Sequence, residues 1–493
     1  MRPIILSIDQ STSATKAVLF DALGNVLDQA SLNHRQIYPQ PGWVEHDAEE
    51  IWKNVLAVIR EIAKRNQKKS SQLAGLSLSN QRETVVVFDR QTGKPLHNAI
   101  VWQCRRGTTI CEKLKQHGHG PMIRRQTGLM VDTYFSASKL KWLVAQKPDL
   151  GKKLKTGAAV IGTIDTFLIH RLTGGTVFAT DFTNASRTML FDIGRLRWDE
   201  TLCKLFSVPM RALPEVRESA AHFGATDANG ILPKRIPIVG VMGDSQASLF
   251  AQHCFQAGAA KATFGTGTSV LLNIGNTARI SKRGAVTALA WVWRGEPTYA
   301  FEGIINFSAA TIEWVKNQLG LIKQASEVEK MATGIADNGG VYLVPAFAGL
   351  SAPYWSPNAR AAIVGMSAHT NKAHIVRAAQ EAIAYQMRDV LDMMRTDAKV
   401  ELQSLHADGG PTRNKFLMQF TADLTRTEIK VAEVVESSAW GSAMQALLGL
   451  GIYKSQGQLA KLNRSQTIFL PTMSAKLAQK NYTGWRRAVQ RVL

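Results

Sequence analysis

Cysteine is scarce. It occurs four times in 493 residues, at Cys104, Cys111, Cys203 and Cys254. No Cys-x-x-Cys pair and no His/Cys ligand spacing occurs, which sets aside a disulfide framework and a zinc site. The thiols are expected to be reduced and buried as small apolar groups. No apolar run approaches the roughly 18 residues needed to span a bilayer. The N-terminus passes from Met1-Arg2-Pro3 straight into the strand-like Ile4-Ile5-Leu6. It lacks the long apolar stretch and small-residue cleavage site of a secretory signal, so a cytoplasmic protein without membrane insertion is expected. Acidic side chains are also short in supply, 38 Asp and Glu against 59 Lys and Arg, for a net charge of +21. Such an excess attracts phosphate-bearing molecules. The basic residues are scattered, however, and their densest groups, Lys64-Arg65 with Lys68-Lys69 and Lys152-Lys153 with Lys155, have no interleaved aromatics. Nucleic-acid binding is therefore not expected, and a surface that draws in an anionic nucleotide is the milder reading. A Walker-type Gly-x4-Gly-Lys-Ser/Thr is absent, which sets P-loop chemistry aside.

What remains is ordinary for a soluble globular chain, with 45% hydrophobic and 20% charged residues, and it reads as alternating α and β. Two segments carry a hairpin signature. In the first, Ile4 to Asp9 and Lys16 to Asp21 flank the turn Gln10-Ser11-Thr12-Ser13-Ala14-Thr15. In the second, Lys261 to Phe264 and Val270 to Gly275 flank Gly265-Thr266-Gly267-Thr268-Ser269. Hydroxyls, backbone N–H groups and glycines in such turns can meet phosphate oxygens, although one Gly-Thr-Gly-Thr alone is more often plain turn geometry. Two such hairpins, so far apart, suggest two related α/β domains, 1–250 and 251–493, facing each other across a cleft. A strand–Gly-Gly–helix junction at Asp408-Gly409-Gly410, followed by a helix from Asn414, suits close approach of a nucleotide. The clearest helix runs from Lys372 to Arg395, with Ile375, Ala379, Ile383 and Met387 on one face and Glu381 expected at the solvent.

Several polar residues sit in segments that look buried. Arg82 and Glu83 lie between two apolar runs. They read either as a structural ion pair or as recognition of hydroxyls, Arg donating and Glu accepting. Asp244 ends the apolar strand Ile236 to Met242 among small residues. It reads either as a helix N-cap or as a carboxylate that takes a proton from an attacking hydroxyl. Asp9 ends a strand beside the first turn, where a carboxylate can hold Mg²⁺ near phosphates. Tyr134 and Trp102 offer aromatic walls, or simply core.

Together these segments closely resemble the glycerol kinases of the FGGY carbohydrate kinase family, over nearly the whole chain. The matching stretches include Gly42-Trp43-Val44-Glu45-His46-Asp47, Asn80-Gln81-Arg82-Glu83-Thr84, Asn98 to Arg106, Thr183-Asn184-Ala185-Ser186-Arg187-Thr188 and Ala352-Pro353-Tyr354-Trp355. Segments Tyr134 to Val144 and Ala361 to Glu381 resemble the family signatures, with Gln380 in an otherwise apolar slot. The resemblance implies an α/β fold of two ribonuclease H-like (actin-like ATPase) domains closing on ATP and a short polyol. It also implies Asp244 as general base, with Asp9 and Asp244 around Mg²⁺. Arg82, Glu83, Trp102 and Tyr134 would contact the polyol, and Thr12, Ser13, Lys16, Thr266, Gly267, Gly410 and Asn414 the nucleotide. A homo-oligomer, dimer or tetramer, is expected.

The chain also departs from the family. Lys16 stands where Arg is usual, which keeps the charge and loses the fork. Ser245 replaces a Gln and Ser269 a Phe in the expected polyol pocket, making it roomier and more polar. Glycerol is then the first expectation, and a four- or five-carbon polyol or sugar the alternative. A non-catalytic ATP-binding sensor is the alternative outside enzymes. Ala309 and Glu313 replace the usual Gly and Gln on the nucleotide side. Leu232-Pro233-Lys234-Arg235 replaces the Gly-Gly-Thr-Arg loop of members regulated by a sugar bisphosphate, so such feedback is expected to be weak or missing.

Overall fold

The computed structural model describes residues 3–356, 358–432, 436–462 and 465–493; Met1 and Arg2 of the expected N-terminal run fall outside them. Both hairpins form. Ile4–Gln10 pairs antiparallel with Ala14–Asp21, and Ala259–Phe264 with Thr268–Gly275. Each seeds a sheet. The first has six strands in the order His222–Thr226, Ile236–Gly243, Leu73–Asn80, Ile4–Gln10, Ala14–Asp21, Val26–Asn33. The second has seven, in the order Val286–Trp293, Glu296–Ile305, Thr268–Gly275, Ala259–Phe264, Ser404–Asp408, Ile429–Ala432, Gln466–Phe469. In both, antiparallel partners lie on one side of the opening strand and a parallel partner on the other (Leu73–Asn80 in the first, Ser404–Asp408 in the second). Parallel neighbours need crossovers, and the helices supply them.

Period-two alternation sends the two faces of each sheet into different cores. Leu6 and Ile8 pack with helix Ala48–Arg65, whereas Ile5 faces a core shared with Trp440, Ala443 and Met444. In the second sheet Ala260, Ala262, Val270 and Leu272 share a core with Ile383, Met387 and Val390 of helix Lys372–Ala398, and Ala259 and Leu271 share one with Leu249 and Phe250. Two helices, Asp244–Ala251 and Ser437–Gly449, therefore lie between the sheets. They touch where a Cβ on Gly441 would stand 1.8 Å from the Ala247 carbonyl oxygen, so only glycine fits. Ser442 of the second helix meets Ser7 and Ser77 of the first sheet at 3.0 and 3.1 Å. A four-stranded sheet, ordered Glu45–His46, Ala99–Ile100, Val85–Asp89, Ala159–Thr163, extends the first half; Trp102 follows its second strand, and Tyr134, just before helix Ser136–Gln146, packs against the same core.

The long helix forms and runs three residues past the expected end, to Ala398. Its Glu381 corrects the sequence reading. It is buried, pairing with Arg377 one turn earlier at 2.7 Å and accepting from Asn338 at 3.0 Å. Arginine at i−4 and a covering loop make burial of the carboxylate tolerable. All four cysteines are free and buried, as expected. Among the described residues no helix is long and apolar enough to cross a membrane.

Candidate active site

Strand ends deliver the polar residues to one place. Leu73–Asn80 runs into Arg82 and Glu83, and Ile236–Gly243 runs into Asp244, its parallel neighbour. Asp244 is the first residue of helix Asp244–Ala251, and the N-cap position belongs to Gly243. The capping reading of Asp244 therefore fails, and its carboxylate, 36% exposed, opens to the cleft. Arg82 Nε approaches it at 3.2 Å.

Arg82 and Glu83 do not form the simple pair that adjacency suggested, since their closest approach is 4.0 Å. They belong to a buried quartet. Glu302 takes Arg82 on Oε1 and Arg187 on Oε2, both at 2.6 Å, and Arg187 Nε donates to Glu83 Oε1 at 2.6 Å. Arg82, Glu83, Arg187 and Glu302 are 4%, 1%, 1% and 2% exposed. Burial alone would raise the Glu302 pKa, but Arg187 and Arg82 hold it down at about 2. Glu83 is different. Burial pushes its pKa up, and the two arginines only partly offset this. Glu302 is thus the anchor of both guanidiniums, and Glu83 keeps acceptor capacity for a ligand. Glu83 also sits at φ 61°, in the left-handed region that a non-glycine residue avoids, strain of a kind that collects at functional sites.

Arg82, Glu83, Asp244 and Glu302 line a cleft of about 880 Å³ together with Thr12, Trp102, Asp132, Tyr134, Ser245, Thr263, Thr266, Gly267, Ser269 and Asn306. Trp102 and Tyr134 are walls rather than core, half-buried, with ring centroids 5.2 Å apart. Burial pushes the Tyr134 hydroxyl well up, so it stays protonated. Both substituted serines line the cleft, and the Ser269 hydroxyl has no hydrogen-bond partner among the described residues.

A second cavity of about 640 Å³ is lined by Asp9, Lys16, Thr263, Asp408, Gly409, Gly410, Arg413, Glu436, Ser437 and Ser438. Lys16 pairs with Glu436 at 2.9 Å. Asp9 is buried with Oδ1 unpartnered among the described residues, and burial raises its pKa to about 7. Gly409, at φ 99°, must be glycine, since a Cβ would stand 1.9 Å from the Phe264 carbonyl oxygen. A third cavity of about 530 Å³ continues past Gly410 and is mainly apolar, with Ala309, Ile312, Val328, Ile383 and Leu417 beside Glu313, Gln380 and Asn414. Asn414 caps helix Lys415–Thr425, accepting from Leu417 N at 2.9 Å.

The expected nucleotide contacts are divided among the cavities and the surface. Ser13 is exposed and lines none of these cavities, because the tight turn brings its neighbour Thr12 into the cleft instead. The Thr12 hydroxyl accepts from Trp102 Nε1 at 2.9 Å and so sits on the aromatic side of the site. Thr266 and Gly267 line the Asp244 cleft rather than the Asp9 cavity.

Known proteins match this architecture. Residues 4–251 match the N-terminal domain of the FGGY family of carbohydrate kinases, and residues 260–450 match its C-terminal domain. The chain belongs to the FGGY family. An FGGY relative named glycerol kinase 1, from Thermotoga maritima, is 45% identical over 99% of both chains. A glycerol kinase from Desulfitobacterium hafniense is 43% identical over the whole of both. Among solved structures, Plasmodium falciparum glycerol kinase with ADP superposes with a TM-score of 0.96 at 38% identity, covering 100% of this chain and 98% of that one.

This FGGY chain also holds site residues that the sequence reading missed. Glu302 was legible as a lone carboxylate inside the apolar run Tyr299 to Ile305. Arg187 lay within a matched stretch but received no role. Lys139, fully buried, donates to the Tyr134 carbonyl at 2.8 Å and fixes the loop that presents the tyrosine ring; burial lowers its pKa to about 8. Nothing in the sequence marks it as buried.

Proposed function

We propose that the chain transfers the γ-phosphoryl group of ATP to a terminal hydroxyl of glycerol, giving glycerol 3-phosphate and ADP. One observation carries this reading. A cleft with a hydroxyl-donating arginine, an accepting glutamate, two aromatic walls and an accessible aspartate meets a phosphate-suited cavity at a single point, Thr263. Arg82, braced by Glu302 and by Gln246 Oε1 at 3.1 Å, donates to substrate hydroxyl oxygens. Glu83 accepts from substrate hydroxyls, and Trp102 and Tyr134 enclose the carbon chain. Asp244 takes the proton of the terminal hydroxyl as its oxygen bonds to the γ-phosphorus. The bond from that phosphorus to the β–γ bridging oxygen breaks, and ADP leaves with the electron pair.

The remaining expected contacts fit the other reactant. Lys16, Gly410 and the Gly409 junction suit the phosphates, and the apolar third cavity beside Asn414 suits the base. Asp9 and Asp244 suit Mg²⁺. Asp9 is a buried carboxylate with an oxygen unpartnered among the described residues, and Mg²⁺ near phosphates takes such carboxylate oxygens together with water. Bound there, Mg²⁺ would neutralise charge on the phosphates. The protein's own part is to align the reactants and exclude water.

Ser245 and Ser269 in the cleft favour a second reading, a polyol of four or five carbons. A coupled assay with ATP and polyols of three to six carbons tests both. Turnover confined to glycerol supports the first reading, turnover that peaks at erythritol or xylitol the second, and no turnover refutes both.

A further inference from the structure

One buried cation has no part in this mechanism. Lys261 stands in the middle of strand Ala259–Phe264 and is 1% exposed. An ammonium group is costly to bury and is normally met by a carboxylate. Here, among the described residues, Nζ makes no salt bridge. Its one hydrogen bond goes to the hydroxyl of Thr263 at 2.7 Å. The charged groups that face it are Asp408, Asp244 and Glu302, which favour its charge, and Arg82, which opposes it.

Thr263 occupies a special place. It is the one described residue that lines both the Asp244 cleft and the Asp9 cavity. Its register explains why. In the sheet it pairs with Ser269 on one side and Asp408 on the other, so the three side chains share a face. Ser269 belongs to the cleft and Asp408 to the cavity. Because the Thr263 oxygen accepts from Lys261, its own proton is free to be donated, and no protein acceptor takes it among the described residues.

We infer that Lys261 is a positioning residue for phosphoryl transfer: its ammonium fixes the Thr263 hydroxyl as a donor to the phosphoryl group crossing from nucleotide to polyol. This inference rests on the kinase reading above. A preorganised donor aimed where charge passes in the transition state accelerates the step without tightening the ground state, and a cation behind the hydroxyl strengthens that donor.

The test compares Thr263→Val, Thr263→Ser, Lys261→Met and the Lys261→Met/Thr263→Val double variant. It uses steady-state kinetics with glycerol and ATP, ADP binding by calorimetry and thermal melting. Thr263→Val is expected to lower kcat about 10²- to 10³-fold, with both KM values and ADP affinity little changed from the parent. Thr263→Ser should restore most of the rate. Lys261→Met should lose a similar factor, and the double variant should be no slower than Thr263→Val alone, because the lysine acts through the threonine. Near-parental kcat in Thr263→Val overturns the inference, as do losses that multiply in full in the double variant. If Lys261→Met does not fold, the Val/Ser contrast at Thr263 still decides. An unsubstituted protein that is inactive with glycerol and ATP would refute the kinase reading instead.

Discussion

Replacing Glu302 with glutamine removes one negative charge and almost no volume. Its two oxygens each hold a guanidinium at 2.6 Å, and the side chain is 2% exposed. The variant leaves buried Arg82 with Asp244 at 3.2 Å, and buried Arg187 with Glu83 at 2.6 Å, as their nearest full carboxylates. Breaking a buried pair by neutralising one member costs about 3–5 kcal/mol. The depressed Glu302 pKa points the same way. Holding the Glu302 pKa at about 2 instead of 4.5 corresponds to about 3 kcal/mol of preference for the charged form in the folded state. For a lobe of roughly 250 residues, 3 kcal/mol lowers the melting temperature by about 6–12 °C. Because the folded pKa is depressed, this stabilisation is present above pH 4.5 and is lost as pH falls from about 4.5 toward about 2. The melting difference between parent and Glu302→Gln should therefore be full at pH 7 and shrink below pH 4.5. Thermal melts across that range, with urea titrations at pH 7, make the measurement. Glu83→Gln is the control. It should destabilise less and raise KM for glycerol more, since Glu83 serves the ligand. A Glu302→Gln protein that melts within about 2 °C of the parent at pH 7 would refute the anchoring role.

Asp244→Asn should lower kcat by about 10²–10⁴ while ADP binding, measured by calorimetry, stays near the parental value. Fructose 1,6-bisphosphate titrated into the coupled assay should leave activity almost unchanged, because Pro233 has no N–H to offer and Arg235 already donates to the Ala225 carbonyl at 2.7 Å. Ser245→Gln combined with Ser269→Phe should raise kcat/KM for glycerol and lower it for erythritol and xylitol, an effect read from the ratio of the two in the double variant and in each single one.

Much of this architecture could be read from residue order. Each hairpin announced itself by β-forming runs around a turn of hydroxyls and glycine, because local chemistry decides a hairpin. Asp244 and Arg82 were legible for a similar reason: a charged residue that ends an apolar strand must meet something. The quartet was not legible. Glu302 and Arg82 are 220 residues apart, joined by the apposition of two sheets, and no local period encodes that. Glu381 misled because its helix carries it off the obvious apolar stripe, and only the covering loop at Asn338 decides its burial. That Thr12 lines the cleft while its neighbour Ser13 is exposed was not legible, since it is set by backbone angles rather than composition. Thr263 and Lys261 look like ordinary strand residues until pairing puts them at the meeting of two cavities.

The glycine contact between the two central helices bears on motion. Asp244 opens one of these helices, and Glu436 and Ser437 stand at the start of the other. At 1.5 Å per residue, Asp244 lies only about 4.5 Å along its axis from the Ala247 contact, and Glu436 about 7.5 Å from Gly441. Were the two lobes to rock by about 10° around that contact, these groups would shift by roughly 1 Å, while atoms some 25 Å out on the rims would travel about 4 Å. The crossing then works as a fulcrum with its short arms at the chemistry. The mouth can gape to admit a nucleotide and shut behind it while the proton acceptor and the phosphate-side residues barely leave their stations.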